Sequence, residues 1–167
     1  MTEDLGCGRR AGVVVVGVDG SLSSRAALRH AIGEAQLRAA TLRVVSAYEP
    51  PELWALAYGE PLPSRPSGVA DAVRAETRRM IDDALDGDRA APEVELVISP
   101  GEAGPVLVGA SRDADLLVVG SRGRGCTRMP LGSVALHCVL HARCPVTVVR
   151  PTSAAGERPA DALAAQG

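Results

Sequence analysis

The sequence predicts an α/β fold in which helices cover both faces of a doubly wound, five-stranded parallel sheet. Short apolar runs, typical of strands buried on both faces, alternate along the chain with segments whose apolar residues recur at helical spacing. Each connection is long enough to carry a crossover helix, so successive strands are expected to be parallel. For five such strands we expect the order 3-2-1-4-5, which brings strands one and four together at the topological switch.

The first strand and the first helix are predicted from the beginning of the chain. Val13 to Val18 (VVVVGV) is a β-branched run typical of a buried strand. It ends in the turn Asp19-Gly20-Ser21, after which Ser23 or Ser24 is expected to cap a helix. The apolar positions of this helix recur near every 3.6 residues and predict one face against the sheet. They are Ala27, Leu28, Ala31, Ile32, Ala35 and Leu37 to Ala40.

A second strand is predicted at Leu42 to Tyr48, and a long connection follows it. From Glu49 to about Gly68 the chain is rich in proline and has neither helical nor strand periodicity. Connections of this length are typically functional or mobile. The segment contains Trp54 and Tyr58, two of the three aromatic residues of the chain, which either cover a ligand or anchor the loop.

The remaining elements continue the alternation of helix and strand. In order, they are a helix at Val69 to Leu85, a strand at Val94 to Ile98, a short helix at Gly104 to Ser111, a strand at Leu116 to Gly120, a helix from Gly132 to about Ala142 and a strand at Pro145 to Arg150. We expect one domain over residues 12–151. Residues 1–11 are expected to form a flexible tail, and residues 152–167 a disordered one, because that segment has too little apolar surface to fold alone.

Composition excludes several classes of protein. The chain is 46% apolar, yet none of its apolar runs approaches the ~20 residues that span a bilayer, and its start lacks the core of a signal peptide. We therefore expect a cytoplasmic protein. A net charge of −2 gives no general attraction to nucleic acid or to a membrane surface. The four cysteines are too few and too scattered for a disulfide framework; they are Cys7, Cys126, Cys138 and Cys144.

The basic residues carry a further signal. All 18 are arginine, and the chain contains no Lys, Asn or Phe. Because the missing residues have AT-rich codons, we expect a high-GC bacterial source. The absence of lysine also excludes a P-loop lysine, a Schiff base and a lysine general base.

The segment after the fourth strand is predicted to hold an anion. Its loop is rich in glycine, which is expected to allow positive φ and close backbone approach, and it is cationic without any acidic residue. The residues concerned are Gly120, Arg122, Gly123, Arg124, Gly125 and Arg128. Gly132 and Ser133 then open a helix whose first N–H groups point back toward the loop. Since this loop and the Asp19 turn both follow strands at the topological switch, we expect them to face one crevice.

Four stretches of the sequence resemble the universal stress protein family, over about Gly12 to Arg150. They are VVVGVDGS at Val14 to Ser21, DLLVVGSRGRG at Asp115 to Gly125, LGSVA at Leu131 to Ala135 and CPVTVVR at Cys144 to Arg150. The ATP-binding branch of that family is similar in carrying G-x2-G-x9-G-[ST] after its fourth strand. This chain has Gly120-x2-Gly123 and then eight residues before Gly132-Ser133, so its phosphate loop is one residue shorter, and Pro130 in that loop lacks an N–H.

The resemblance implies an ATP site, with or without Mg²⁺, in this crevice. Adenine would lie near Ala47 and Val18, and Asp19 would face the ribose. The start of the last helix would hold the phosphates, supplemented by arginines of the loop. The full set of residues implied to contact the nucleotide is Gly17, Val18, Asp19, Ala47, Gly120, Ser121, Arg122, Gly123, Arg124, Gly132, Ser133 and Val134.

Strand five is also predicted to join two copies of the chain. In the expected strand order it is an edge, and Pro145 to Arg150 is apolar with only one charged residue. Such an edge favours antiparallel pairing with an identical strand across a two-fold axis, and the family resemblance implies the same homodimer. The alternative is a monomer in which the tail from Thr152 covers the edge.

Two functions follow from these features. The first is a nucleotide-binding regulatory module of the stress response. The alternative is a dimeric interaction module that binds no nucleotide, which the shortened loop would permit. Nothing in the sequence indicates catalysis beyond slow ATP hydrolysis at most. A zinc site is disfavoured because Cys138 points about 100° away from His137 on a helix, so packing is preferred for both residues and for His141 and Cys144.

Overall fold

Five parallel strands form one sheet in the order β3-β2-β1-β4-β5, as the sequence predicts. The computed structural model describes residues 12–50, 58–59, 68–86, 90–123 and 131–151. The strands are β1 (Val13–Gly17), β2 (Thr41–Tyr48), β3 (Val94–Pro100), β4 (Leu116–Gly120) and β5 (Val146–Val149). The helices of the described part are α1 (Leu22–Arg38), α2 (Val69–Leu85), α3 (Ala103–Ala110) and α4 (Ser133–His141). The predicted tails and nearly all of the loop from Glu49 to Gly68 lie outside the described residues.

The valine run of β1 lies at the centre of the sheet and is buried on both faces. β1 pairs with β2 on one side, where Val14 is level with Leu42, and with β4 on the other, where Val14 is level with Leu116. Successive side chains of a strand point to opposite faces. Val14 and Val16 therefore pack in the layer formed with α1 and α2, whereas Val13 and Val15 pack in the layer that holds residues of α3 and α4.

The N-cap of helix α1 lies two or three residues before the predicted one. Ser21, and not Ser23 or Ser24, is the N-cap residue, and its Oγ accepts a hydrogen bond of 3.1 Å from the backbone N–H of Ser24. Ser23 and Ser24 lie inside the first turn and are buried. Leu37, predicted to be part of the buried face, is instead 84% exposed.

An arginine ties the middle of the sheet to the end of α3. The Nε of Arg43 lies 2.8 Å from a carboxylate oxygen of Glu95, and its Nη1 lies 2.8 Å from one of Asp113. The same Nη1 donates to the carbonyl of Ala110, at 2.9 Å. The hydrogen bond to Asp113, followed by that to Glu95, raises the pKa of Arg43 above its usual value. The last residue of α3 is thereby held over β2 and β3 on a half-buried ion-pair cluster.

Candidate functional site

The site is a cavity at the carboxyl ends of β1, β2 and β4. This is the edge of a parallel sheet at which ligands usually bind, next to the topological switch. The cavity has a volume of about 430 Å³, within the range typical of small-molecule sites. It brings together ten of the twelve predicted site residues: Gly17, Val18, Asp19, Ala47, Gly120, Arg122, Gly123, Gly132, Ser133 and Val134.

The two turns that the sequence places at this crevice contact each other. The hydroxyl of Ser21 donates to the carbonyl of Arg122 over 3.4 Å, which links the turn after β1 to the turn after β4. The carboxylate of Asp19 accepts a 2.9 Å hydrogen bond from the N–H of Ser21. A Cβ atom at Gly123 would lie 3.0 Å from the other oxygen of Asp19. Asp19 is therefore held at the junction of the two turns, beside the cavity.

The described glycines of the β4 turn, Gly120 and Gly123, do not have the positive φ that glycines of this loop were expected to allow. Among the described glycines, only Gly20, Gly59 and Gly101 have positive φ. Gly120 is needed for another reason, since a Cβ there would lie 2.8 Å from the backbone carbon and the Cβ of Ser23. Its lack of a side chain lets the first turn of α1 pack directly on the end of β4. Gly120 thus shapes the site by allowing α1 and β4 to approach closely.

The start of α4 supplies hydrogen-bond donors to the cavity. The N–H of Gly132 donates to the carbonyl of Ser121 at 2.8 Å, which fixes the helix start beside the β4 turn. The first N–H groups of a helix have no acceptor within the helix, and the helix dipole makes this end positive. Ser133 and Val134 carry such groups and line the cavity. This end of the cavity can therefore bind an anion.

Of the other two predicted site residues, one is described and does not line the cavity, and the other lies outside the described residues. Ser121 is 2% exposed and does not line the cavity. Its N–H donates to the carbonyl of Val149 and its own carbonyl accepts from Gly132, so it joins β4, β5 and α4. Arg124 lies outside the described residues, as does the segment in which the loop is one residue short.

The sequence did not indicate the walls that α2 and α3 contribute. Leu107 and Ala103 of α3 line the cavity, and Leu107 packs so tightly against the end of β1 that a Cβ on Gly17 would lie 2.7 Å from it. From α2 come Val73, Glu76, Thr77 and Met80. Their i, i+3, i+4, i+7 spacing marks one helical face. That spacing indicates a helical face that packs against other elements, but not that this face forms a cavity wall.

The histidines and cysteines near α4 pack against neighbouring groups. The rings of His137 and His141 stack with centroids 4.3 Å apart, and His141 Nδ1 lies 2.9 Å from the carbonyl of His137. His137 also covers Gly104 of α3. Cys138 is fully buried, and this burial raises the pKa of its thiol to about 11. Within the described ranges, no group of three or more His, Cys, Asp or Glu side chains is arranged to hold a metal ion.

Comparison with known proteins identifies the family. The sequence model of the universal stress protein family matches residues 12–150. The chain belongs to this family. The universal stress protein Rv2624c of Mycobacterium tuberculosis is 37% identical over 139 residues, which cover 82% of this chain and 47% of that protein. The chain therefore spans about half the length of the curated relatives it matches.

Solved universal stress proteins share the fold. The protein UspA from Lactobacillus plantarum superposes with a TM-score of 0.65 at 25% identity, covering 84% of this chain and 99% of that chain. A universal stress protein crystallised in complex with cAMP superposes with a TM-score of 0.63 at 27% identity, covering 85% and 98% of the two chains. None of the helices in the described part of this universal stress protein is long and apolar enough to cross a membrane.

Proposed function

We propose that this universal stress protein binds an adenine nucleotide, ATP, in the cavity at the carboxyl ends of β1, β2 and β4, and acts as a regulatory module of the stress response. The observation that carries the proposal is the meeting of the Asp19 turn, the Gly123 turn and the start of α4 around one cavity. A neighbour of 27% identity, crystallised with cAMP, supports a nucleotide as the ligand. Such a ligand implies a cytoplasmic protein, because adenine nucleotides are abundant there.

The different chemistry of the two ends of the cavity supports one orientation of the nucleotide. The α4 end of the cavity has backbone N–H donors and Arg122, so it takes the phosphates, with Gly123, Gly132, Ser133 and Val134. The carboxylate of Asp19, in the middle of the sheet edge, accepts hydrogen bonds from the ribose hydroxyls. The β2 end is lined by Val18, Ala47 and Leu107 and receives the base. Arg124 and bound Mg²⁺ would add positive charge at the phosphate end.

A charge placed at Ser133 tests this arrangement. Ser133 is exposed and lies in the first helical turn, where an acidic residue stabilises a helix, so Ser133→Asp should fold normally. Its carboxylate would occupy the position of a phosphate and use the same N–H groups. Losing a charge-assisted hydrogen bond costs about 10- to 100-fold in affinity, so we expect a loss of roughly 100-fold for ATP. Ser133→Asn, which adds no charge, should lose less than about 10-fold.

Isothermal titration with ATP, ADP, AMP and cAMP, with and without Mg²⁺, is the measurement. Equal weakening by the Asp and Asn variants would show that the phosphates bind elsewhere. Failure of the parent protein to bind any of the four at millimolar concentration would overturn the nucleotide proposal.

A second candidate function is a dimeric interaction module without nucleotide. One observation favours it: α4 exposes three large apolar side chains, with Leu136 46%, Val139 50% and Leu140 67% exposed. This helix packs beside β5, which is an edge strand of the sheet. An apolar face next to an edge strand is typical of an association surface. We therefore propose that the β5 edge and the α4 face join two copies of the chain, whether or not nucleotide binds.

A further inference from the structure

The two ends of the cavity differ chemically, and the end formed by α2 has no role in the nucleotide proposal so far. Sheet order puts β2 and β4 on opposite sides of β1, so the cavity extends along the sheet edge from β2 to β4. Helix α2 packs against β2 and β3, whereas α4 lies over β5. The α2 wall and the N-terminus of α4 are therefore at opposite ends. A nucleotide with its phosphates at α4 directs its base toward α2.

The α2 wall is mostly apolar, with one carboxylate. Val73 and Met80 contribute apolar surface, and Met80 is almost fully buried. The hydroxyl of Thr77 donates to the carbonyl of Val73 at 2.8 Å, so its proton is already used within the helix. Glu76 is the wall's only ionisable residue. A carboxylate accepts hydrogen bonds and donates none, so it favours N–H groups and disfavours carbonyl oxygens.

We propose that Glu76 is the residue by which this cavity selects the base, favouring one that presents an exocyclic amino group over one that presents a carbonyl at the same position. This inference rests on the proposed nucleotide function. Glu76 is exposed at the rim of the cavity. An amino group donates to its carboxylate, whereas a carbonyl oxygen opposes it acceptor to acceptor and is repelled by its charge. Glu76 would be a specificity-determining residue on a helix that contributes nothing to the phosphate end.

AMP and IMP form the matched pair of probes. IMP carries a carbonyl at position 6 where AMP carries the amino group, and N1–H where AMP has an unprotonated nitrogen, while the ribose and the phosphate are identical. A Glu76 carboxylate that faced N1 and not position 6 would favour IMP, and that result would overturn the inference. We expect the parent protein to bind AMP about 10-fold more tightly than IMP, the difference produced by one mismatched hydrogen bond. In Glu76→Gln the side-chain amide can both accept and donate a hydrogen bond. The ratio of AMP affinity to IMP affinity should therefore fall to within about 2-fold, mainly because IMP binds better.

Two further variants complete the experiment. Asp82→Asn removes the same charge from another face of α2, outside the cavity, and should keep the ratio of the parent protein. Glu76→Ala removes the acceptor altogether and should also reduce the ratio, which provides a second reading if the glutamine variant folds poorly. Affinities are measured by isothermal titration, and thermal unfolding of each variant checks that it is folded.

The outcomes separate this inference from the function on which it rests. If the parent protein binds AMP and IMP equally well, or if the Glu76 variants keep its ratio, the cavity is a nucleotide site but Glu76 does not select the base. Equal loss of both nucleotides in the Glu76 variants would also overturn the inference, because a residue that only selects the base leaves IMP binding in place. If the parent protein binds ATP but neither monophosphate, the same comparison is made with ATP and ITP. If it binds none of these nucleotides, the proposed function fails and this inference fails with it.

Discussion

Cys138 connects the packing of the core to the pH dependence of stability. Its side chain is fully buried in the layer between α4 and the sheet, in the same cluster as Leu117 and Val119. Burial disfavours the charged thiolate and, with a smaller contribution from Cys144, raises the pKa of Cys138 from 9.0 to about 11. The folded protein therefore keeps this thiol neutral at pH values at which the unfolded chain ionises it.

We predict that stability falls between pH 9 and pH 11 because of this residue. The unfolded state binds fewer protons than the folded state in that window, so the free energy of unfolding decreases as pH rises. The contribution of Cys138 is fully present below pH 9 and is lost by about pH 11. A shift of this size corresponds to about 2 to 3 kcal/mol.

Urea unfolding of the parent protein and of Cys138→Ala across this range is the measurement. The two curves of unfolding free energy against pH should converge as pH rises, because the alanine variant lacks this loss. Cys7→Ser, altered near the start of the chain, should follow the parent protein. Parallel curves for the parent protein and Cys138→Ala would contradict the prediction.

At the scale of elements, the contact between α1 and β4 decides the geometry of the site. Gly120 ends β4 and leads into the turn that lines the cavity, while the first turn of α1 lies against it. A methyl group at this position would meet backbone and not a flexible side chain, at 2.8 Å. The helix and the strand would have to separate, which would also move the two turns apart.

We therefore predict that Gly120→Ala destabilises the protein by about 1–3 kcal/mol, the usual cost of overpacking a tight contact. Nucleotide affinity should fall as well, since Asp19 and Gly123 would no longer be held together. The control is Gly33→Ala in α1, where a Cβ meets nothing within 4 Å. That change should stabilise the protein by about 0.5–1 kcal/mol, because alanine is more favourable than glycine in the interior of a helix. Urea unfolding that showed both variants equal to the parent protein would contradict the prediction.

The elements also show which features a sequence can predict and which it cannot. The valine run of β1 and the alternation of strands and helices were sufficient for the fold class and the strand order, because burial on both faces leaves a direct compositional signal. The Asp19 turn and the β4 turn were predicted to meet because topology alone places them together. The cap at Ser21 was missed, since Ser21, Ser23 and Ser24 are chemically equivalent candidates and only the backbone at Ser21 is extended.

The parts of the site that were not predicted depend on contacts across the fold. The periodicity of α2 shows which side of the helix is apolar, but not that this side extends past the sheet edge to form a cavity wall. Glu76 and Thr77 were therefore not recognised. At Gly120 the predicted close backbone approach is present, but its partner, Ser23, was not foreseen because it depends on how α1 packs and leaves no mark on the local sequence.

At the scale of the whole molecule, the described sheet has two edge strands, β3 and β5, and hydrogen bonding indicates how to test the proposed association through β5. The carbonyl of Pro145, just before β5, accepts from the N–H of Leu117 on β4, and the carbonyl of Val149 accepts from the N–H of Ser121, just after β4. Because backbone groups alternate in direction along a strand, the N–H of Val148 points away from β4, toward the open edge. Proline at position 148 would remove that outward donor without removing a hydrogen bond to β4.

We predict that the protein is a homodimer and that Val148→Pro converts it to a folded monomer. Leu140→Lys, which places a charge on the exposed face of α4 beside this edge, should do the same. Leu37→Lys is the matched control, because Leu37 is 84% exposed but lies near the end of α1. Static light scattering should give the parent protein and the Leu37 variant twice the chain mass of 17.2 kDa, and the other two variants the chain mass itself. A parent protein that has the mass of one chain at high micromolar concentration would show that the dimer proposal is wrong.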